Sequence, residues 1–113
     1  MLGIENIPDA KECFLEAYRT YSFQPDVLLN LGTACEITGE REKAKQFYQE
    51  AIQADRADVR PKINLAVVEY KDGEWEQSAG IIRSIDTNAV KKEPQSLVQY
   101  NTLKNSLRKF LQP

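Results

Sequence analysis

The chain has 113 residues, of which 42% are hydrophobic and 28% are charged, a balance typical of a folded domain rather than of a disordered segment. Its net charge of -2 and pI near 5.2 exclude an overall attraction to nucleic acid or to an anionic membrane. No apolar run approaches the roughly 20 residues of a membrane span, and the N-terminus lacks the pattern of a signal peptide. We therefore expect one domain, in a cytoplasmic protein.

Apolar residues at spacings of three and four predict six helices and no strands. Pro8, Pro25 and Pro94 each suit the first turn of a helix, where the missing N–H of proline costs nothing. Gly39 and Gly73 are expected to end helices, because a left-handed closing residue is easiest for glycine. The predicted helices cover about residues 8–21, 25–38, 41–54, 58–72, 75–85 and 94–111, with a polar connection at 89–93.

The chain partly repeats itself at an offset of about 34 residues. The clearest repeat runs from Pro25 to Asp58, and its successor begins at Val59. The matches place small residues on small ones, apolar on apolar, and glycine on glycine at a turn. They are Asn30-Leu31 on Asn64-Leu65, Gly32 on Ala66, Gly39-Glu40 on Gly73-Glu74, Ala44 on Ser78 and Tyr48 on Ile82.

These residues resemble the tetratricopeptide repeat family, whose helix–turn–helix repeats of about 34 residues stack into a right-handed superhelix. Residues 25–58 match best, although Cys35 stands where the family often has tyrosine and Arg56 where it often has proline. Residues 59–92 match less closely, and residues 8–24 resemble only the second helix of a repeat. The signature positions of the best repeat are Leu28, Leu31, Gly32, Gly39, Ala44, Tyr48 and Ala51.

The resemblance implies an all-α solenoid of stacked antiparallel helix pairs, with a capping helix at its C-terminal end. Residues 1–113 would then form a single domain of one half-repeat, two repeats and a cap at residues 93–113. The small side chains of Gly32 and Ala44 support this packing independently, because they allow helices to approach closely.

The sequence offers no catalytic, metal or cofactor site. Because it contains no histidine, it excludes a Ser-His-Asp triad, a Cys-His pair and histidine metal ligands, and its five glycines form no phosphate-binding motif. Cys13 and Cys35 lie in helical patterns and are expected to be reduced packing residues rather than a disulfide. We therefore expect a protein that is not an enzyme.

The resemblance implies a concave groove, lined by the first helix of each repeat, that binds an extended or helical segment of a partner protein. Asn30 and Asn64 are the clearest candidates to hold the backbone of a partner, because an amide can both donate to and accept from a peptide backbone. The alternative for both is that the asparagine side chain only makes hydrogen bonds to backbone groups nearby in its own chain. A clamp for chaperone tails is disfavoured, since Val98 and Pro94 occupy positions where it needs arginine and lysine. The expected groove residues are Asp26, Leu29, Asn30, Thr33, Glu36, Ile37, Arg60, Ile63, Asn64, Val67, Tyr70 and Lys71.

Two alternatives to peptide binding are left open. The first is self-association, as a homo-oligomer, through an N-terminal edge formed by Phe14 and Tyr18, unless the chain is a piece of a longer protein. The second is an accessory role in a bacterial secretion or pilus assembly system, a class in which short repeat proteins are common. A basic cluster in and before the last helix would meet an acidic partner or a membrane surface, or is a solvated face. It comprises Lys91, Lys92, Lys104, Arg108 and Lys109.

Overall fold

The computed structural model describes residues 25–111, and its contacts divide the chain into two compact units, Met1–Asp55 and Arg56–Pro113. Every regular element within the described residues is a helix, which confirms the expected all-α fold. The helix predicted from Pro8 and the packing role of Cys13 lie outside the described residues. The helices are α1 (Pro25–Ile37), α2 (Arg41–Ala54), α3 (Arg60–Lys71), α4 (Trp75–Arg83), α5 (Thr87–Lys91), α6 (Pro94–Ser106) and α7 (Arg108–Leu111).

In the first unit, α1 and α2 pack against each other across a three-residue turn. The Gly39 backbone takes φ 86°, as predicted for the residue that closes the helix. Its N–H donates to the Glu36 carbonyl (3.1 Å), and the Glu40 N–H donates to the Cys35 carbonyl (2.8 Å). These bonds satisfy carbonyls that the end of a helix leaves without intrahelical partners. The buried core of this pair consists of Leu28, Leu31, Ala34, Cys35, Ala44, Tyr48 and Ala51.

The second unit begins with the same construction, because α3 and α4 are also joined by a three-residue turn. Gly73 takes φ 83°, which confirms the second predicted glycine stop. Its N–H donates to the Tyr70 carbonyl (3.1 Å), and the Glu74 N–H donates to the Glu69 carbonyl (2.9 Å). The two helix pairs are therefore closed by the same hydrogen bonds at equivalent residues.

Each helix pair has one position of close approach, and the two residues that meet there differ between the pairs. In the first unit, Gly32 faces the buried ring of Tyr48, and a Cβ on Gly32 would lie 2.6 Å from the ring carbon Cδ1. In the second unit the equivalent positions hold Ala66 and Ile82, which belong to one buried cluster. The Ser78 hydroxyl donates to the Ala66 carbonyl (2.7 Å) and so joins α4 to α3. Compared with the first pair, the second pair thus has a larger residue on its first helix (alanine for glycine) and a smaller one on its second helix (isoleucine for tyrosine).

The connection after α4 contains a helix. α5, Thr87–Lys91, follows Asp86, whose Oδ1 accepts the Asn88 N–H (3.0 Å) and caps the first turn. Val90 is fully buried and belongs to the same buried cluster as residues of α3, α4 and α6, and α5 packs against α6. The predicted polar connection at residues 89–93 is therefore wrong, because the capped turn carries an apolar side chain into the core.

The single last helix predicted over residues 94–111 is two helices in the structure. α6 starts at Pro94 as predicted, but it ends at Ser106, and Leu107 (φ -101°, ψ 17°) separates it from α7. Asn105 and Ser106 precede the break, and both residue types compete with the helix for backbone hydrogen bonds. α6 packs against α3 and α4, and α7 packs against α4. The buried cluster of the second unit comprises Val59, Ile63, Ala66, Ala79, Ile82, Ile85, Val90, Tyr100, Leu103 and Leu107.

Candidate functional site

The groove residues predicted on α1 form one stripe along its surface, at spacings of three and four. Asp26, Asn30 and Thr33 are exposed, whereas Leu29 and Glu36 are half-buried. Among the described residues, the structure records no hydrogen bond to the side-chain amide of Asn30. The Asn30 amide therefore makes no hydrogen bond to the described backbone, and its donors and acceptor face solvent.

Two side chains of this stripe are tied to α2 by Tyr48. The Tyr48 hydroxyl donates to Glu36 Oε1 (2.6 Å) and lies 3.3 Å from Thr33 Oγ1. Burial of the Tyr48 ring and its hydrogen bond to Glu36 both raise the pKa of the phenol, so Tyr48 stays a neutral donor. The Glu36 carboxylate is thus engaged within the first unit, and a partner that used its charge would compete with this bond.

The predicted stripe on α3 is less exposed than that on α1. Asn64, Val67 and Tyr70 are half-buried, and Lys71 is exposed. Across the described part of the chain, no hydrogen bond reaches the side-chain amide of Asn64. Ile63, expected to contact a partner, is fully buried in the cluster of the second unit. The structure therefore places Ile63 in the core and not at a partner surface, because the other helices of this unit cover that side of α3.

Arg60, also expected in the groove, is held at the start of α3 by Asp58. Arg60 Nη2 lies 2.7 Å from Asp58 Oδ2, and Arg60 Nε lies 3.0 Å from Oδ1, which also accepts the Arg60 N–H (3.0 Å). Asp58 thereby satisfies a donor of the first turn, although Val59 is the residue that directly precedes α3. The hydrogen bonds from the Arg60 side chain hold the pKa of the Asp58 carboxyl below its usual value, against the opposing effect of burial.

Replacing Asp58 with asparagine is expected to lower the free energy of unfolding at neutral pH by about 1 kcal/mol or less, since the Arg60 side chain is 39% exposed and solvent screens the pair. The contribution of the carboxylate is present above the unfolded-state pKa of about 3.9 and is lost as the pH falls through the lower folded-state pKa. Urea unfolding should therefore show a difference between the original chain and Asp58→Asn that shrinks below about pH 4. A difference that stays constant with pH would contradict the assigned pair.

A depression of about 330 Å³, which we name the α3–α6 groove, lies between these two helices of the second unit. Val67, Tyr70 and Lys71 of the predicted stripe line its α3 side. Val98 lies on its α6 side and is 67% exposed, so the groove has an open apolar wall. The full lining consists of Val67, Tyr70, Lys71, Val98, Gln99, Thr102, Leu103 and Ser106.

Sequence reasoning missed the α6 wall of this groove, although a signal for it exists. Val98 follows Asn64 by one repeat length of about 34 residues, as Asn64 follows Asn30. In the sequence, α6 therefore stands where the first helix of a further repeat would begin. The segment was expected to be only a cap, because it lacks the glycine and the small residues of the repeat.

A second depression, of about 240 Å³, adjoins the α3–α6 groove, because Tyr70 and Ser106 line both. Trp75 and Phe110 form an aromatic wall, with ring centroids 6.1 Å apart and ring planes inclined by 41°. Arg83 Nη1 donates to the Phe110 carbonyl (2.7 Å), which ties α7 to α4. We name this depression the aromatic pocket, and its lining consists of Tyr70, Trp75, Ser106, Lys109 and Phe110.

Four further expectations concern a metal site, a membrane span, the basic cluster and the N-terminal edge. Within residues 25–111, no group of three or more histidine, cysteine, aspartate or glutamate side chains could hold a metal ion. No helix in the same range is both long and apolar enough to cross a membrane. All residues of the predicted basic cluster are exposed, and Lys104 Nζ lies 5.2 Å from the centre of the Tyr100 ring. The predicted edge residues Phe14 and Tyr18 lie outside the described residues.

Comparison with known protein families matches residues 25–58 to the model of the tetratricopeptide repeat. The matched range is the clearest internal repeat, and it contains α1, α2 and the glycine turn between them. No curated protein matches the chain. The match confirms the resemblance for residues 25–58, which form a tetratricopeptide repeat.

Proposed function

We propose that the chain is a non-enzymatic scaffold that binds a peptide segment or a helix of a partner protein in the α3–α6 groove. The tetratricopeptide repeat at residues 25–58 supports a protein–protein interaction module in general. The observation that supports this site is the groove of about 330 Å³, which is lined mainly by apolar surface and lies on the predicted stripe of α3. Its volume lies at the lower end of the roughly 300–1,000 Å³ of ligand pockets. A groove of this size suits one or two side chains of a partner.

The mechanism is passive, because the groove only has to hold a segment in place. Val67 and Tyr70 on α3 and Val98 on α6 offer apolar surface that a partner side chain can cover. Asn64 lies about one helical turn before Val67 and offers an amide to the partner backbone. Lys71 adds a cation at the end of the groove. Apolar contacts would supply most of the affinity, and the amide and the cation would fix orientation.

The exposed stripe of α1 is proposed as a second contact surface, on the first unit. Asn30 presents its amide there, flanked by Asp26 and Thr33, with Leu29 as a half-buried apolar neighbour. This surface is polar, so it would contribute orientation more than affinity. We place the function in the cytoplasm, on the sequence argument from the two cysteines.

Val98→Glu tests the groove. Short random peptides displayed on phage are selected on the full chain, and the recovered peptides are titrated against the original chain and the variant. Because Val98 is 67% exposed, the substitution should leave the fold intact. A charge on the apolar wall should weaken binding about tenfold or more.

Asn101→Glu is the matched control, since it adds the same charge to an exposed position of α6 that does not line the groove. This variant should bind the peptides as the original chain does. If no peptide is recovered, or if both variants bind equally, the α3–α6 groove is not the binding site.

A further inference from the structure

We infer that the partner segment is acidic and that it places one apolar side chain in the α3–α6 groove and a second, bulky one in the aromatic pocket. This inference rests on the proposed function and adds to it the chemistry of the partner. It assigns binding roles to Trp75, Lys109 and Phe110, which the predicted stripe does not include.

The aromatic pocket extends the α3–α6 groove, because Tyr70 and Ser106 belong to both linings. Trp75 is 48% exposed, so a large apolar surface faces water at this point. The ring centroids of Trp75 and Phe110 are 6.1 Å apart. The aromatic pocket that both rings line has a volume of about 240 Å³. One bulky apolar side chain fits a depression of that size. Such a side chain would cover the exposed face of Trp75.

Contacts within the second unit hold the backbone around the aromatic pocket in place. Leu107 is fully buried and holds the start of α7, where its carbonyl accepts the N–H groups of Phe110 (2.8 Å) and Leu111 (3.1 Å). Arg83 Nη1 donates to the Phe110 carbonyl (2.7 Å), so the backbone that carries the aromatic wall is fixed from α4 as well. A wall that is held by such contacts lowers the entropic cost of binding a side chain beside it.

The charges along both depressions are basic. Lys71 lines the groove and Lys109 lines the pocket, and no acidic side chain of the described residues lines either one. Residues 94–111 also carry Lys104 and Arg108 and contain no acidic residue, although the whole chain has a net charge of -2. A basic border beside apolar depressions attracts aspartate and glutamate of a partner and repels lysine and arginine. The complementary segment is therefore acidic.

A protein segment explains these features better than an anionic membrane does. Two adjoining depressions each accept an individual side chain, whereas a bilayer contacts a continuous apolar face of a helix. The exposed face of α6 and α7 is polar and basic outside Val98, Trp75 lies on another helix, and Phe110 is half-buried. The surface thus lacks the broad apolar stripe that insertion needs.

Trp75 is the single tryptophan of the chain, so its fluorescence reports on the aromatic pocket. Peptides selected on the full chain should be rich in aspartate and glutamate around two apolar side chains, and their binding should shift Trp75 emission to shorter wavelength. Lys109→Glu should weaken their affinity about tenfold. Lys92→Glu reverses the same charge at an exposed position that lines neither depression, and it should change the affinity by less than about threefold.

The outcomes separate this inference from the proposed function. Neutral or basic peptides that are weakened by Val98→Glu, but leave Trp75 emission unchanged, would overturn the inference and leave the groove as a binding site. Peptides insensitive to both Val98→Glu and Lys109→Glu would overturn both. Binding to vesicles that contain phosphatidylserine, with no acidic peptide selected, would assign the surface to a membrane. A mass that rises with concentration and falls on Lys109→Glu would assign it to a second copy of the chain. Either result would overturn the inference.

Discussion

Replacing Gly32 with alanine is expected to destabilise the first unit by about 3 kcal/mol. The added Cβ would lie 2.6 Å from Cδ1 and 2.9 Å from Cζ of the Tyr48 ring, distances that real Cβ atoms do not adopt. The ring has little freedom to move, because it is fully buried and its hydroxyl donates to Glu36 Oε1 (2.6 Å). Urea unfolding of the full chain, followed by far-UV circular dichroism, measures the loss of stability.

Gly80→Ala is the matched control for this substitution. A Cβ on Gly80 would meet no atom within 4 Å, and Gly80 lies within α4, where alanine is the better helix former. We expect Gly80→Ala to stabilise the second unit by about 0.5 to 1 kcal/mol. Equal effects of the two alanines would show that the contact between Gly32 and Tyr48 does not limit stability.

The second unit indicates which change should relieve the clash. It holds Ala66 and Ile82 where the first unit holds Gly32 and Tyr48. Tyr48→Ile alone should cost about 2 to 4 kcal/mol, because the buried ring and its hydrogen bonds are lost. Combined with Gly32→Ala, it should cost less than the two single variants together, by about 1 to 3 kcal/mol. If the stability losses of the two single variants simply add in the double variant, Gly32→Ala does not act through the Tyr48 ring.

Helix boundaries set by single residues were predictable from the sequence. Gly39 and Gly73 end α1 and α3 with positive φ, and Pro94 begins α6, each as predicted. The limits of α2, Arg41–Ala54, also agree with the prediction. The boundaries at Gly39, Gly73 and Pro94 depend on backbone preferences of glycine and proline, which act before any tertiary contact forms.

Two features near the C-terminal end were not predictable from local signals. Val90 lies in a segment that looks like a polar connection, and Leu107 looks like an interior position of one long helix. Both side chains are fully buried in the cluster of the second unit. The extra helix at Val90 and the break at Leu107 therefore occur where a side chain packs into this core. Tertiary packing overrides local propensity in such places.

The candidate site was predictable only on one of its two walls. Val67, Tyr70 and Lys71 belong to the predicted stripe of α3 and line the α3–α6 groove. Ile63 shares the spacing of that stripe, but it is buried, because exposure on α3 depends on which helices cover it. Val98 was not predicted as part of a wall, because α6 was expected to be only a cap. A groove between two helices also depends on the position of both. Spacing along one helix cannot supply that position.

Leu107→Ala is expected to lower the free energy of unfolding of the second unit by about 3 kcal/mol. Leu107 is fully buried, its N–H donates to the Leu103 carbonyl (2.8 Å), and its carbonyl accepts the Phe110 N–H (2.8 Å). Truncation would leave a cavity at the point where α7 joins α6. Urea unfolding followed by Trp75 fluorescence measures the effect, because Trp75 lies in the second unit.

The same substitution should also change the folded protein, because Leu107 anchors the helix that carries Phe110. If α7 loosens, Phe110 moves away from Trp75, and the emission of the folded state shifts to longer wavelength. Leu97→Ala removes the same atoms from a half-buried position of α6, so it should cost less stability and leave the emission unchanged. An unshifted Trp75 emission in Leu107→Ala would mean that the bond from Arg83 to the Phe110 carbonyl holds the aromatic pocket without the core contact. Equal losses of stability in the two variants would contradict the expected role of Leu107 in the core.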